Sequence, residues 1–389
     1  MAIERTDGGE RSRRPSRVRR VALWTAAGLA VVLIVALVGG GWYYSDQIEA
    51  DLLSVQNEAP EYDVRVLAVD ADRVTLQRTD DTVLRGTYGL EWPGGYGQIT
   101  QILEASPGRV QREFRLLQGS LSAGQRARVR SSAFPGDPEQ AFGLPFDHTE
   151  YSSDLGRFPA WLVEGTDETW MIFVHGKGAS REEALRALPT VTDLGYTSLV
   201  ISYRNDPEAP QSPDGRYHFG DTEWRDLESA VRFTLDRGAQ RVVLFGYSMG
   251  GAIVTSFLRR SDLAPQVQGA ILEAPLLDVD AAVDLEGANR GLPQFLTSFA
   301  KWISSLRFGV DWDAWSRADE AAGLQVPLLL IHGVADETAP IEVSDGLAAA
   351  APENVTYYRV PDAGHVRAWN VDPTAYEAAV RDFLKGLGS

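Results

Sequence analysis

Residues 241–260 read RVVLFGYSMGGAIVTSFLRR, and the fold turns on how this stretch is read. Val242 to Phe245 is an apolar run rich in β-branched and aromatic residues, the composition of a fully buried strand. Gly246-Tyr247-Ser248-Met249-Gly250 follows, and Ala252 to Leu258 has the composition of a helix. In a chain with 37 glycines a G-x-S-x-G pentapeptide means little alone. Between a strand and a helix it places a serine on a strained turn that lifts its hydroxyl clear of the sheet. Gly246 and Gly250 then keep side chains out of the crowded approach of strand to helix.

A serine activated in this way needs a base, and the chain has five histidines: His148, His175, His218, His332 and His365. His148 lies at an edge strand, and His175 and His332 each precede a glycine at the close of a strand, where packing is the ordinary role. His218 sits in the polar loop 205–221. His365 follows Pro361-Asp362-Ala363-Gly364 after the last strand and before the final helix. From there an imidazole can reach back over the sheet to Ser248, so His365 is the expected base. The acid that orients it is expected to be Asp336, in the loop after Ile331-His332-Gly333, with Asp278 after the preceding strand as the alternative. Two backbone N–H groups are needed for an oxyanion. They are expected from Met249, which follows the serine, and from Lys177 in the loop His175-Gly176-Lys177-Gly178. The Lys177 side chain is read as simply solvated.

Around these residues, from Phe146 onward, apolar strands alternate with amphipathic helices, which predicts a doubly wound, mostly parallel sheet. Its strands are expected at 170–174, 197–202, 242–245, 268–272, 327–331 and 355–360, with an antiparallel edge pair at 148–152 and 159–163. Helices are expected at 181–188, 222–237, 251–260, 342–350 and 373–387. Ligands of such sheets gather at the carboxyl ends of the strands, where each residue named above falls. An insertion at 278–324 carries Phe295, Phe299, Trp302 and Leu306 at helical spacing. This stripe reads either as buried core or as a short cap helix roofing an acyl pocket.

Residues 46–145 show period-2 runs at 62–69, 73–76, 82–88, 97–103, 111–117 and 126–130, separated by Asp, Gly and Pro. They predict a small all-β domain of five or six strands, serving as a spacer or as a wall beside the site. Residues 133–145, with Pro135, Pro138 and Pro145, read as a linker.

The N-terminus is different in kind. Residues 1–20 hold seven arginines and three acids, about +4, against −17 for the whole chain. Residues 21–45 carry no charge, enough apolar length to cross a bilayer, with Trp42, Tyr43 and Tyr44 at the far end. The arginines place the N-terminus in the cytoplasm, so the domain at 146–389 is expected outside it, held by a single-pass span. A cleaved signal peptide is the rival reading, opposed by the length of the apolar run. The acidic remainder argues against nucleic acid as a partner. With no cysteine there is no disulfide and no thiolate metal site; no metal or cofactor is expected.

The stretch 146–389 resembles the α/β-hydrolase superfamily, in its serine-hydrolase, esterase, lipase and prolyl-oligopeptidase-like branch. The resemblance is carried by His175-Gly176, by Gly246 to Gly250, by HGVADETAP at 332–340 and by Ala363-Gly364-His365. Tyr203 to Asp206, Glu223 to Asp226 and Leu272 to Pro275 further resemble a group of bacterial membrane-linked hydrolases. It implies the chain order Ser, Asp, His and an acyl-serine mechanism. The expected activity is hydrolysis of small-molecule or lipid-like carboxylic esters at the membrane. Peptide or amide cleavage, acyl transfer or thioester hydrolysis, and a non-catalytic binding role on the same scaffold are the alternatives.

Overall fold

A computed structural model describes residues 17–55 and 61–388; most of the arginine-rich segment at 1–20 therefore lies outside the described residues. The chain opens with α1, Arg17–Ile48, continued by a π-helical turn over Glu49–Leu53. At 32 residues α1 overruns both ends of the uncharged run, because no Gly-Pro signal stops it. Its most apolar window has a mean hydropathy of 2.7 and is not covered by the rest of the chain, so the helix is long and apolar enough to cross a membrane.

Six strands follow: β1 Val64–Val69, β2 Arg73–Gln77, β3 Tyr88–Trp92, β4 Gly95–Ser106, β5 Arg109–Gln118 and β6 Arg126–Arg130. They close into a barrel in the order β1-β2-β5-β4-β3-β6. Alternate residues such as Val66, Leu76, Leu90, Ile99 and Val110 point inward and fill it. The strand expected at 82–88 is instead a 3-10 turn over Asp81–Val83 and a loop, with pairing resuming only at Tyr88. Thr82 explains part of this, since its hydroxyl accepts from the Thr79 N–H and donates to the Gln77 carbonyl. Arg112, buried in the barrel, explains the rest by donating to the carbonyls of Thr82, Leu84 and Gly86, groups a ladder would have used. Burial pushes that guanidinium down to about 10.

The expected linker is also structured. Asp137 caps the short helix α2, Pro138–Phe142, with proline at its first position and Gly143 closing it at φ +67°. Ala133 is fully buried and the Phe134 ring lies 5.3 Å from Trp369, so this segment packs down on the next domain.

That domain is an eight-stranded sheet, β7 Asp147–Ser153, β8 Gly156–Val163, β9 Thr169–Val174, β10 Thr197–Ile201, β11 Arg241–Tyr247, β12 Val267–Glu273, β13 Leu328–Gly333 and β14 Val355–Val360. The order is β14-β13-β12-β11-β9-β10-β8-β7. The strands from β10 through β14 run parallel, and β8 and β7 are antiparallel at one edge. On one face α4 (Trp224–Asp236), α5 (Met249–Arg260) and α9 (Ile341–Ala350) supply Leu227, Val231, Ile253, Phe257 and Leu347. On the other, α3 (Leu188–Asp193) and α11 (Pro373–Leu387) supply Leu188, Val191, Tyr376, Val380 and Leu384. The chain leaves β9 toward β10 on one side and returns to β11 on the other, so the switch point of the sheet lies between β9 and β11.

Between β12 and β13 run α6 (Val279–Asn289), α7 (Gln294–Phe308) and α8 (Ala318–Ala322); α10 (Ala368–Val371) follows β14. The aromatic stripe on α7 is neither core nor roof. Phe295, Trp302 and Leu306 stand 67%, 56% and 68% exposed, while Thr297, Ala300, Ile303 and Ser304 face inward. Part of α7 lies along α1: the Ser304 and Ser45 hydroxyls meet at 3.1 Å, and Arg307 pairs with Asp46 and covers the Trp42 ring. Gly41 permits the approach, because a side chain there would overlap Phe299.

Candidate active site

Ser248 stands between β11 and α5 at φ +48°, ψ −116°, a strained conformation for a residue with a side chain. The two glycines around it are steric necessities. A Cβ on Gly246 would lie 2.6 Å from the Gly250 carbonyl, and one on Gly250 would lie 2.1 Å from that of Val174. The turn is tied to the sheet by Ser248 N–H donating to the Glu273 carbonyl, and by Leu276 N–H donating to the Ser248 carbonyl.

The structure brings Ser248, His365 and Asp336 together. His365 Nε2 lies 2.8 Å from Ser248 Oγ, and His365 Nδ1 lies 2.8 Å from Asp336 Oδ2. A carboxylate only accepts, so Nδ1 carries the proton and Nε2 presents its lone pair to the hydroxyl. Asp336 is itself held from every side. Its Oδ1 accepts from the N–H groups of Thr338 and Ala339, and His332 Nε2 approaches Oδ2 at 3.2 Å. Burial alone would raise the Asp336 carboxyl, but these hydrogen bonds from His332 and His365 outweigh it and hold it well below the usual carboxylate range. Asp278, the alternative acid, caps α6 by accepting from Ala281 N–H.

Met249 opens α5, so its N–H belongs to the first turn, which has no intrahelical acceptor. Lys177 lies in the loop after β9, whose Gly176 comes so near that a Cβ there would sit 3.1 Å from Ser248 Cβ. Met249 thus follows the serine directly, and Lys177 stands one residue beyond the glycine that borders it. The Lys177 side chain is not solvated as the sequence reading had it. Its Nζ donates to the Asp51 carbonyl at 2.8 Å and lies over the Tyr217 ring, and burial lowers its pKa.

Three supporting residues escape a sequence reading. Asp206 bonds His175 Nε2 at 2.8 Å and the Tyr203 N–H at 2.9 Å beneath the Lys177 loop. Glu183 accepts the Gly176 N–H at 2.8 Å and so fixes that loop. Ser344 lies 2.7 Å from His332 Nδ1 and sets the ring that contacts Asp336. Only Asp206 left a trace in the sequence, within Tyr203-Arg204-Asn205-Asp206. Among the described residues no group of three or more His, Asp or Glu is placed to hold a metal ion.

Residues 171–318 match the family described as serine aminopeptidase, S33, and residues 65–130 match a domain of unknown function, DUF8805. A protein described as uncharacterized, YfhR of Escherichia coli K12, is 26% identical over 241 residues, 60% of this chain and 76% of its own length. The α/β hydrolase domain-containing protein WAV2 of Arabidopsis thaliana is 24% identical over 273 residues, 66% of this chain and 83% of its own length. An esterase from Pyrococcus furiosus superposes with a TM-score of 0.52 at 21% identity, covering 65% of this chain and 97% of its own. At that identity the esterase likeness bears on the fold. Residues 146–389 have the α/β-hydrolase fold, and the family match at 171–318 falls within it.

Proposed function

We propose that the protein is a membrane-anchored, extracytoplasmic esterase that cleaves carboxylic esters through an acyl-serine intermediate. The observation that carries it is the hydrogen-bonded relay Ser248–His365–Asp336. In this reading Ser248 Oγ attacks the ester carbonyl while His365 Nε2 takes its proton and Asp336 stabilises the imidazolium. The Met249 and Lys177 N–H groups receive the oxyanion. Collapse expels the alcohol, which leaves with the proton from His365. Water, deprotonated by the same nitrogen, then releases the acid and restores the serine. No cofactor is required. Residues 21–45 serve as the anchor, 46–145 as a barrel and its connection, and 146–389 as the catalytic domain, with the basic N-terminus in the cytoplasm.

Amide cleavage is the second reading, favoured by the serine aminopeptidase match over 171–318. A panel of p-nitrophenyl esters beside aminoacyl p-nitroanilides separates the two. Ester turnover lost in Ser248→Ala is expected; anilide turnover without ester turnover would establish the second reading instead. Ser248→Ala should also abolish fluorophosphonate labelling and leave the melting temperature nearly unchanged.

A further inference from the structure

The end of the anchor does not turn away from the hydrolase; it lies over the site. Beyond α1, the Leu53 side chain is buried and its carbonyl accepts the Tyr217 N–H at 2.9 Å. The Asp51 carbonyl accepts Lys177 Nζ, and the Asp51 carboxylate pairs with Arg290 at 2.9 Å. Glu49 meets Arg216 at 3.3 Å. Between this segment and the helices α6 and α7 is a cavity of about 380 Å³, within the size range of small-molecule sites. Ile48 and Leu52 of the anchor form one wall, and Ala282 and Val283 of α6 form another. Its remaining lining includes Leu276, whose N–H holds the Ser248 carbonyl at 3.1 Å, and Thr338, whose N–H holds Asp336 Oδ1 at 2.8 Å. The cavity thus shares residues with the backbone on either side of the relay.

We propose that this cavity is an acyl-chain site, and that the anchor helix is a structural part of it rather than a tether alone. The ligand is the single acyl chain of a lipid-like ester. The walls are mainly apolar, and the charged residues that line them, Asp51, Glu286 and Arg290, are paired with one another, so an uncharged chain suits the cavity better than an anion. The exposed Phe295, Trp302 and Leu306 on α7 lie beside the apolar α1, and the bilayer that holds α1 covers them as well. An ester drawn from lipid then meets the cavity without crossing water. By contrast, a second cavity of about 600 Å³, on the barrel side of the Lys177 loop, is lined by Arg128, Arg130 and Glu182. Glu91 already pairs with both arginines and Glu182 with Arg130, and the lining of that cavity is mainly polar and charged.

The inference rests on the nucleophile assigned under the proposed function, and its test does not require ester turnover. Full-length protein in detergent is labelled with ethyl and with dodecyl alkylfluorophosphonates; an Oγ–P bond forms, fluoride leaves and the serine proton goes to base. Each buried methylene is worth about 0.8 kcal/mol, about fourfold in rate. A dodecyl chain seated over only four methylenes is therefore favoured by roughly 10²-fold. Ile48→Trp fills the cavity from the anchor, and Val283→Trp fills it from α6. Each should reduce the dodecyl-to-ethyl rate ratio at least tenfold while the ethyl rate stays within about twofold, which also certifies that the variant is folded. Detergent partitioning of the longer probe is common to all three proteins and cancels in the comparison. An unchanged ratio in the variant that keeps its ethyl rate overturns the proposal, as does a wild-type ratio near one. No labelling of wild type by either probe overturns it together with the nucleophile. Labelling with the expected ratios but no ester hydrolysis would leave the acyl site standing and remove only the ester reading.

Discussion

Asn370 Nδ2 donates to the carbonyl oxygens of Thr87 and Ser131 at 2.7 and 2.8 Å. The barrel therefore grips a side chain of α10, the helix that follows the His365 loop. The grip is returned, since Thr87 N–H donates to the Asn370 carbonyl at 2.7 Å. Gly86 makes room: any Cβ there would lie 2.0 Å from that carbonyl. On the hydrolase side Asn370 Oδ1 faces Arg186, whose guanidinium also donates to the Val366 carbonyl beside His365. Of the two roles open to the barrel from sequence, this contact supports a wall that steadies the site over a spacer.

Asn370→Ala should then do two things. It leaves the Thr87 and Ser131 carbonyls buried without a donor, at a cost of about 1–3 kcal/mol in stability. It also loosens the loop carrying His365, and a small misplacement of a base can lower kcat by up to about 10²-fold. Thermal unfolding and ester kinetics read the two effects separately. A destabilised variant with unchanged kcat would mean the barrel is only a structural neighbour.

A second prediction concerns His175. Its Nδ1 lies 2.9 Å from the Gly176 carbonyl and its Nε2 2.8 Å from Asp206. Acceptors on both sides favour the form in which both nitrogens donate, the imidazolium. Burial alone would lower its pKa, but the Asp206 charge and hydrogen bond outweigh burial and raise it. A pKa raised on folding stabilises below the unfolded value, about 6.5, and that contribution is lost as pH rises through the folded one. Urea unfolding of wild type and His175→Gln across pH 5.5–9 should show a stability gap that is widest at the acid end and narrows upward. A gap that widens with rising pH would show that the ring is buried neutral.

These contacts mark the boundary of what the sequence discloses. The parallel strands are legible because each is a continuous apolar run, and the turn at Ser248 because its glycines are dictated by overlaps of backbone with backbone. His365 and Asp336 are legible because they stand in loops at strand ends, where a doubly wound sheet gathers its ligands. Partnerships across long separations leave no such trace. Asp206 with His175, Asn370 with Thr87, and Lys177 with Asp51 join elements whose meeting depends on the finished packing. The stripe on α7 misleads for a related reason, because helical spacing marks an apolar face without saying what covers it. Here α1 takes part of it and leaves Phe295, Trp302 and Leu306 outward.

The proposed role of α1 as an anchor gives a third prediction. With α1 intact, the protein should resist extraction by carbonate and require detergent, and protease added outside the cell should remove the catalytic domain. Arg307 binds both Asp46 and Ser45, so a chain released by cleavage near residue 42 would still carry its contact with α7. A shortened, soluble, labelled form with a new N-terminus there would establish a cleaved signal peptide in place of an anchor.

The last prediction compares two aspartates. Asp336 contacts His365 Nδ1 at 2.8 Å, whereas Asp278 spends its carboxylate on the N–H of Ala281 at the start of α6. Asp336→Asn places an amide beside His365, which can stabilise the wrong tautomer and cannot support the imidazolium. Ester kcat should fall by roughly 10³–10⁴-fold with little change in KM. Asp278→Asn replaces one good helix cap by another and should cost at most a few tenths of a kcal/mol, with kcat within about twofold. His332→Gln adds a graded case, since it removes one donor from Asp336 while leaving His365 in place; its kcat should lie between the two. If Asp278→Asn is the more damaging of the aspartate variants, the imidazole is oriented in solution by a group other than Asp336, and the relay drawn from these distances is wrong.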